Sequence, residues 1–168
     1  MTWIVNRCPF FEKETQVAVP EGSVAVRSYQ MVLWVSLQVR DTVSDPFPAV
    51  FDTGHSHNFS LRSEHLERWA GVKTSDVPRI GAAKVNERPV ALVRATVLLH
   101  RNVRGTRDEL RGEPWTLEIT EGLALHERGD LFAPRLPILG LRALVKAGLR
   151  AVTDGAKCQL SIGKPWRW

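Results

Sequence analysis

The run Ala49-Val50-Phe51-Asp52-Thr53-Gly54 constrains this chain more than any other. Apolar residues read as a strand that ends in Asp-Thr-Gly. Asp52 supplies a carboxylate able to react. The Thr53 hydroxyl can brace the loop, and Gly54 lets backbone N–H groups approach and polarise the carboxylate oxygens. Asp-x-Gly is also ordinary turn chemistry, so these residues need a second element to carry a function.

That element is Leu136-Pro137-Ile138-Leu139-Gly140-Leu141-Arg142-Ala143-Leu144. Two apolar residues and a glycine precede a short helical run. Together the two motifs resemble the retropepsin-like (retroviral-type) aspartic protease family. In that family a hydrophobic-hydrophobic-Gly strand, here Ile138-Leu139-Gly140, threads beneath the catalytic loop and leads into a helix. The order of elements matches over roughly residues 31 to 163. The resemblance implies a mostly β, single-domain acid-protease barrel with one or two short helices. It also implies a hydrolase, an aspartic endopeptidase with Asp52 as its catalytic residue and Thr53 and Gly54 as supports.

One Asp-Thr-Gly is present in 168 residues, and Thr153-Asp154-Gly155 has the wrong order. A second carboxylate must then come from a second copy of the chain, which makes a two-fold homodimer the expected assembly. The expected partners are that second copy and a peptide or protein substrate. No cofactor and no metal are expected. The whole chain, 1–168, reads as one domain, with residues 1–30 as an N-terminal extension or interface strands.

His55 departs from the family pattern, where a small residue usually follows the glycine. A protonated His55 would lower the carboxylate pKa and narrow the active pH range. His55 and His57 are therefore possible modulators, and His55 favours an alternative: a catalytically silent dimer that binds peptide or protein without cutting it. Residues two apart on a strand share a face, so Asp52, His55 and His57 can also be read as a metal site. Against that, the only further histidine nearby in sequence is His65, and no Cys-x-x-Cys or His-Glu-x-x-His accompanies them. Ser56 lacks the Gly-x-Ser-x-Gly elbow of a serine nucleophile.

Hydrophobic residues make up 43% and charged residues 24%, ordinary values for a globular domain long enough to bury a core. The formal charge is +5. Arg101, Arg104, Arg107 and Arg111 cluster in a polar stretch read as a solvated loop, without a nucleic-acid-binding motif, so no nucleic acid is expected. The longest apolar run, Met31 to Val39, is broken by Ser36 and Gln38 and is too short to span a bilayer as a helix. No secretory signal is visible, which makes a cytoplasmic location the expectation. Cys8 and Cys158 are expected as independent thiols, although pairing of the termini in a shared sheet would bring them near each other.

Strand patterns dominate the rest. Met31–Val39 is a strong strand and 41–48 a proline-bearing loop. The spacing predicts a helix from Arg62 to Ala70, with Ser63 as a possible cap. Residues 79–99 read as a long hairpin turning at Asn86-Glu87 and returning from Val90 to Leu99. Its outgoing side, Ile80, Gly81, Ala82, Ala83 and Val85, is the candidate flap that the resemblance implies, a mobile lid able to exclude water. Trp115 to Ile119 and Leu123 to His126 are expected strands, 141–148 a helix, and the last hairpin turns at Asp154-Gly155.

Overall fold

The β-formers assemble into fifteen strands from Thr2 to Lys164 among the described residues. In the computed structural model, which describes residues 1–166, β1 (Thr2–Pro9) precedes a hairpin of β2 (Thr15–Val19) and β3 (Gly22–Val26). The apolar run β4 (Met31–Val39) is buried along most of its length, so its residues do not alternate in polarity. β5 (Thr42–Val43) folds back on it.

β6 (Phe47–Asp52) starts inside the expected 41–48 loop. Phe47 pairs with Val35 and Pro48 with Trp34. The Val50 N–H points to the Pro137 carbonyl on the other edge, so the Pro48 nitrogen faces the same way. Pairing on that edge begins only at Val50, and the missing donor of Pro48 costs no bond there.

β7 (Phe59–Arg62) holds Arg62, which the sequence assigns to a helix. The Arg62 N–H donates to His65 Nδ1 at 3.1 Å, and its guanidinium reaches the Ala133 and Pro134 carbonyls. Those bonds keep it extended. The helix shrinks to a π-helical turn, His65–Trp69, without a side-chain cap, and Ser63 bonds Glu64 instead.

A single 3₁₀ turn, Thr74–Asp76, leads to the hairpin of β8 (Arg79–Val85) and β9 (Arg88–Val93). Asn86 and Glu87 both take positive φ, 48° and 63°, the geometry that matches strand twist in a two-residue hairpin. The return does not run on to Leu99. The Arg94 N–H turns away to the Pro78 carbonyl, and β10 (Thr96–Leu99) is a separate strand on the far side of the sheet.

β11 (Trp115–Leu117) stops short of Ile119, and β12 (Leu123–His126) follows. β13 (Ile138–Gly140) runs into α1 (Leu141–Lys146). The last hairpin, β14 (Arg150–Asp154) and β15 (Gln159–Lys164), turns through residues 155–158 rather than at Asp154-Gly155. Asp154 Oδ1 accepts the Lys157 N–H at 3.2 Å, which closes the longer loop.

The main sheet has the order β11-β10-β4-β6-β13-β7-β12-β9-β8, with β5 on β4. It is mostly antiparallel and remains open, not closed into a barrel. Two parallel pairs, β13 with β6 and β12 with β7, mark its centre. A second sheet, β1-β15-β14, joins the two ends of the chain. Residues 2–9 are thus paired within their own chain, and Cys8 lies opposite Leu160. Both cysteines are free thiols. Arg167 and Trp168 of the aromatic tail lie outside the described residues.

Phe47, Phe51, Phe59, Leu61 and Leu139 are fully buried in the main core, each worth about 1.5–3 kcal/mol of burial. A smaller cluster of Phe11, Val26, Val32 and Leu136 packs beneath the β2–β3 hairpin. Val50 packs against this second cluster while Phe51 enters the first. The alternation along β6 therefore sets Asp52 on the Val50 side. Among the described residues no helix is long and apolar enough to cross a membrane.

Candidate active site

Asp52 ends β6 and is exposed. The Gly54 N–H donates to its Oδ1 at 2.8 Å. A Cβ on Gly54 would stand 3.4 Å from that same oxygen, an ordinary contact, so space alone does not demand glycine at this position. Thr53 is exposed, and among the described residues its hydroxyl makes no hydrogen bond within the chain. Within one chain the brace seen in this loop is the Gly54 amide.

Gly140 pairs across from Asp52 in the parallel β6–β13 ladder, and Leu139 across from Phe51. Ile138 and Leu139 also pair antiparallel with Ser60 and Phe59 on β7. β13 thus runs between the strand that enters the loop and the strand that leaves it. The Gly140 N–H donates to the Asn58 carbonyl at 2.9 Å. A Cβ there would overlap the His57 carbonyl oxygen and lie 3.3 Å from that of His55. The glycine of the second motif is required by the loop of the first.

His55 is half-buried, and its Nε2 shares a 2.7 Å hydrogen bond with Ser60 Oγ. Its ring meets that of His57 edge-on at 5.6 Å. Burial, then the neighbouring His57, hold His55 below the ordinary imidazole range. Burial, then His126, do the same to His57. Both rings are neutral at neutral pH, so neither places a fixed positive charge beside Asp52.

His65 does not join the pair but is buried in the π-helical turn. Among the described residues no group of three or more His, Cys, Asp or Glu is arranged to hold a metal. The third imidazole near His55 and His57 is His126 on β12, held by Asp130 at 2.8 Å. Only the β7–β12 pairing brings it there, and no local motif announces it.

Glu121 was also invisible in the sequence. Its Oε2 accepts from Asn58 Nδ2 at 2.7 Å, and its Oε1 pairs with Lys146 and, at 3.6 Å, with Arg142. The end of the Asp52 loop is thereby tied to α1.

A cleft of about 260 Å³ opens beside Asp52, lined by Arg27, Gln30, Val50, Arg135, Leu136 and Ile138 among others. A larger hollow of about 840 Å³, between β2 and residues 105–110, holds neither Asp52 nor its loop. The proposed flap residues Ile80, Gly81, Ala82, Ala83 and Val85 sit on β8, the outer strand of the sheet. None of them lines the cleft at Asp52. Ile80 packs on Gly122, where a Cβ would come within 2.9 Å of its Cδ1.

No family model and no curated protein matches the chain. Among solved structures it is similar to a retropepsin-like aspartic protease from Rickettsia conorii, at 14% identity and a TM-score of 0.39, over 79% of this chain and 97% of that one.

Proposed function

We propose that this chain is an aspartic endopeptidase that works as a homodimer. The observation that carries the reading is the Asp52 loop itself. An exposed carboxylate receives the Gly54 amide and rides on a loop seated against Gly140. One chain offers one such carboxylate, and a two-fold axis through the loops supplies the other.

Two carboxylates within hydrogen-bond reach do not both ionise, so the pair holds one proton. The ionised Asp52 takes a proton from a water lying between them. The protonated Asp52 of the second copy polarises the scissile carbonyl. The water oxygen forms the new C–O bond, and the C–N bond breaks as the leaving amine takes a proton from the pair. The anchoring of His55 to Ser60 supports this reading over a silent dimer, because a neutral ring tied to the body leaves Asp52 accessible.

The test is hydrolysis of a quenched peptide library across pH by wild type and Asp52→Asn, with light scattering on both. Asparagine keeps the acceptor for the Gly54 N–H but cannot act as base or acid. Activity should fall by a factor of about 10²–10⁴ or more, with folding and dimer mass unchanged. A fully active monomer, or an equally active Asp52→Asn, overturns the proposal. A dimer that binds peptides but cuts none at any pH establishes the silent alternative.

A further inference from the structure

Arg27 and Arg135 line the cleft that also holds Asp52. Both are exposed, and among the described residues neither forms an ion pair with a carboxylate. Arg27 follows β3, and its backbone N–H is fixed by the Gln30 side-chain oxygen at 2.8 Å. Arg135 is held from two directions. Its Nη2 donates to the Ala25 carbonyl, and its own carbonyl accepts from His65 Nε2 at 3.1 Å. One guanidinium is therefore set in place before any ligand arrives, with donors left over.

Val50, Leu136 and Ile138 line the same cleft as the two arginines and Asp52. Leu136 is buried and the other two are half-buried, so they give the cleft an apolar wall. Such a site suits a short aliphatic stem that ends in an anion. Arginine presents a planar fork of N–H donors that matches a carboxylate in two-point geometry. A lysine side chain in the same place would meet two like charges. In the proposed dimer the Asp52 pair carries one negative charge, while two clefts carry four arginines, so the net field at each cleft stays positive.

We infer that this cleft selects peptides with an acidic side chain, Glu or Asp, next to the position of the Asp52 carboxylate. That acidic residue would mark the substrate class of the proposed peptidase, and the cleavage preference rests on that reading. The binding preference itself stands on the cleft alone. Both arginines are at the rim and partly screened, which sets the selectivity at about tenfold rather than thousandfold.

The experiment has two arms. In the first, Asp52→Asn is titrated with fluorescent peptides identical except for Glu, Gln or Lys at the central position. The Glu peptide should bind about tenfold tighter than the Gln peptide, with Lys weakest and the spread narrowing at high salt. Arg27→Glu leaves one charge of each sign in the cleft, with Arg135 still in place, so it should abolish the preference for Glu over Lys, and it leaves the backbone N–H that Gln30 fixes in place. Equal binding of the three peptides, no binding of any, or an unchanged spread in Arg27→Glu overturns the inference. In the second arm, wild type is assayed on cleavable Glu and Gln peptides. Equal kcat/KM for the two refutes the acidic specificity while the peptidase reading survives. Cleavage of neither refutes the peptidase reading, and the binding arm still decides the charge preference.

Discussion

Gly140 stands against the carbonyl oxygen of His57 with no room for a Cβ between them. Its backbone is ordinary extended chain, φ −82° and ψ 152°. Conformational freedom is therefore not why a glycine is here. The close approach of two backbone segments is, and one of those segments carries Asp52.

Gly140→Ala should accordingly be far more harmful than a methyl group suggests. The obstacle is backbone, and it cannot rotate away as a side-chain tip can. The His57 carbonyl, the Asn58–Gly140 hydrogen bond and the β13 register must shift together. A loss of at least about 3 kcal/mol is expected, at the upper end for overpacking. Urea unfolding measures it. A variant of wild-type stability would mean that the His57 carbonyl does not abut Gly140.

The two motifs were legible because each is local and has its own physics. A strand that ends in Asp-Thr-Gly and a strand that ends in Ile-Leu-Gly show in the sequence without knowledge of the rest. Their mutual contact was legible only through the family resemblance. The errors occur where a long-range bond outweighs a local pattern. Arg62 scans as helix but is held extended by His65, Ala133 and Pro134. The stretch 90–99 scans as one strand but is cut where Arg94 bonds Pro78. Glu121, His126, Arg27 and Arg135 carry no local signal, because only tertiary pairing brings them to the Asp52 loop or its cleft.

The two thiols should react very differently. Cys8 is 4% exposed, and its Sγ points to the Val32 carbonyl at 3.6 Å. Burial pushes its pKa up to about 11, against the weaker pull of Arg107. The thiolate is the reactive form, and at neutral pH Cys8 has almost none of it. Cys158 sits half-buried on the β14–β15 loop. Brief alkylation of the native protein should add one label, at Cys158, and alkylation in denaturant should add two. Peptide mass mapping reads the positions. Equal labelling of Cys8 in the native protein contradicts the burial of its thiol against β4.

Acid should weaken the fold through His65. Its Nδ1 accepts the Arg62 N–H at 3.1 Å and its Nε2 donates to the Arg135 carbonyl at 3.1 Å, so the bonded ring is the neutral one. Burial is the largest influence and lowers its pKa from 6.5 to about 4, with the Arg135 carbonyl opposing. The folded protein therefore takes up this proton less readily than the unfolded chain. The associated stability is fully present above pH 6.5, drains as the unfolded chain protonates, and is gone once the pH falls through about 4. The loss is at most about 3 kcal/mol, or roughly 6–12 °C in melting temperature for a chain of this size. His55, His57 and His100 are shifted in the same direction, chiefly by burial, and steepen the slope. His65→Gln cannot titrate, so its melting temperature should fall less between pH 7 and 4 than that of wild type. Circular dichroism melts across this range supply the comparison. Identical losses in the two proteins would mean that His65 is not the group that fails in acid.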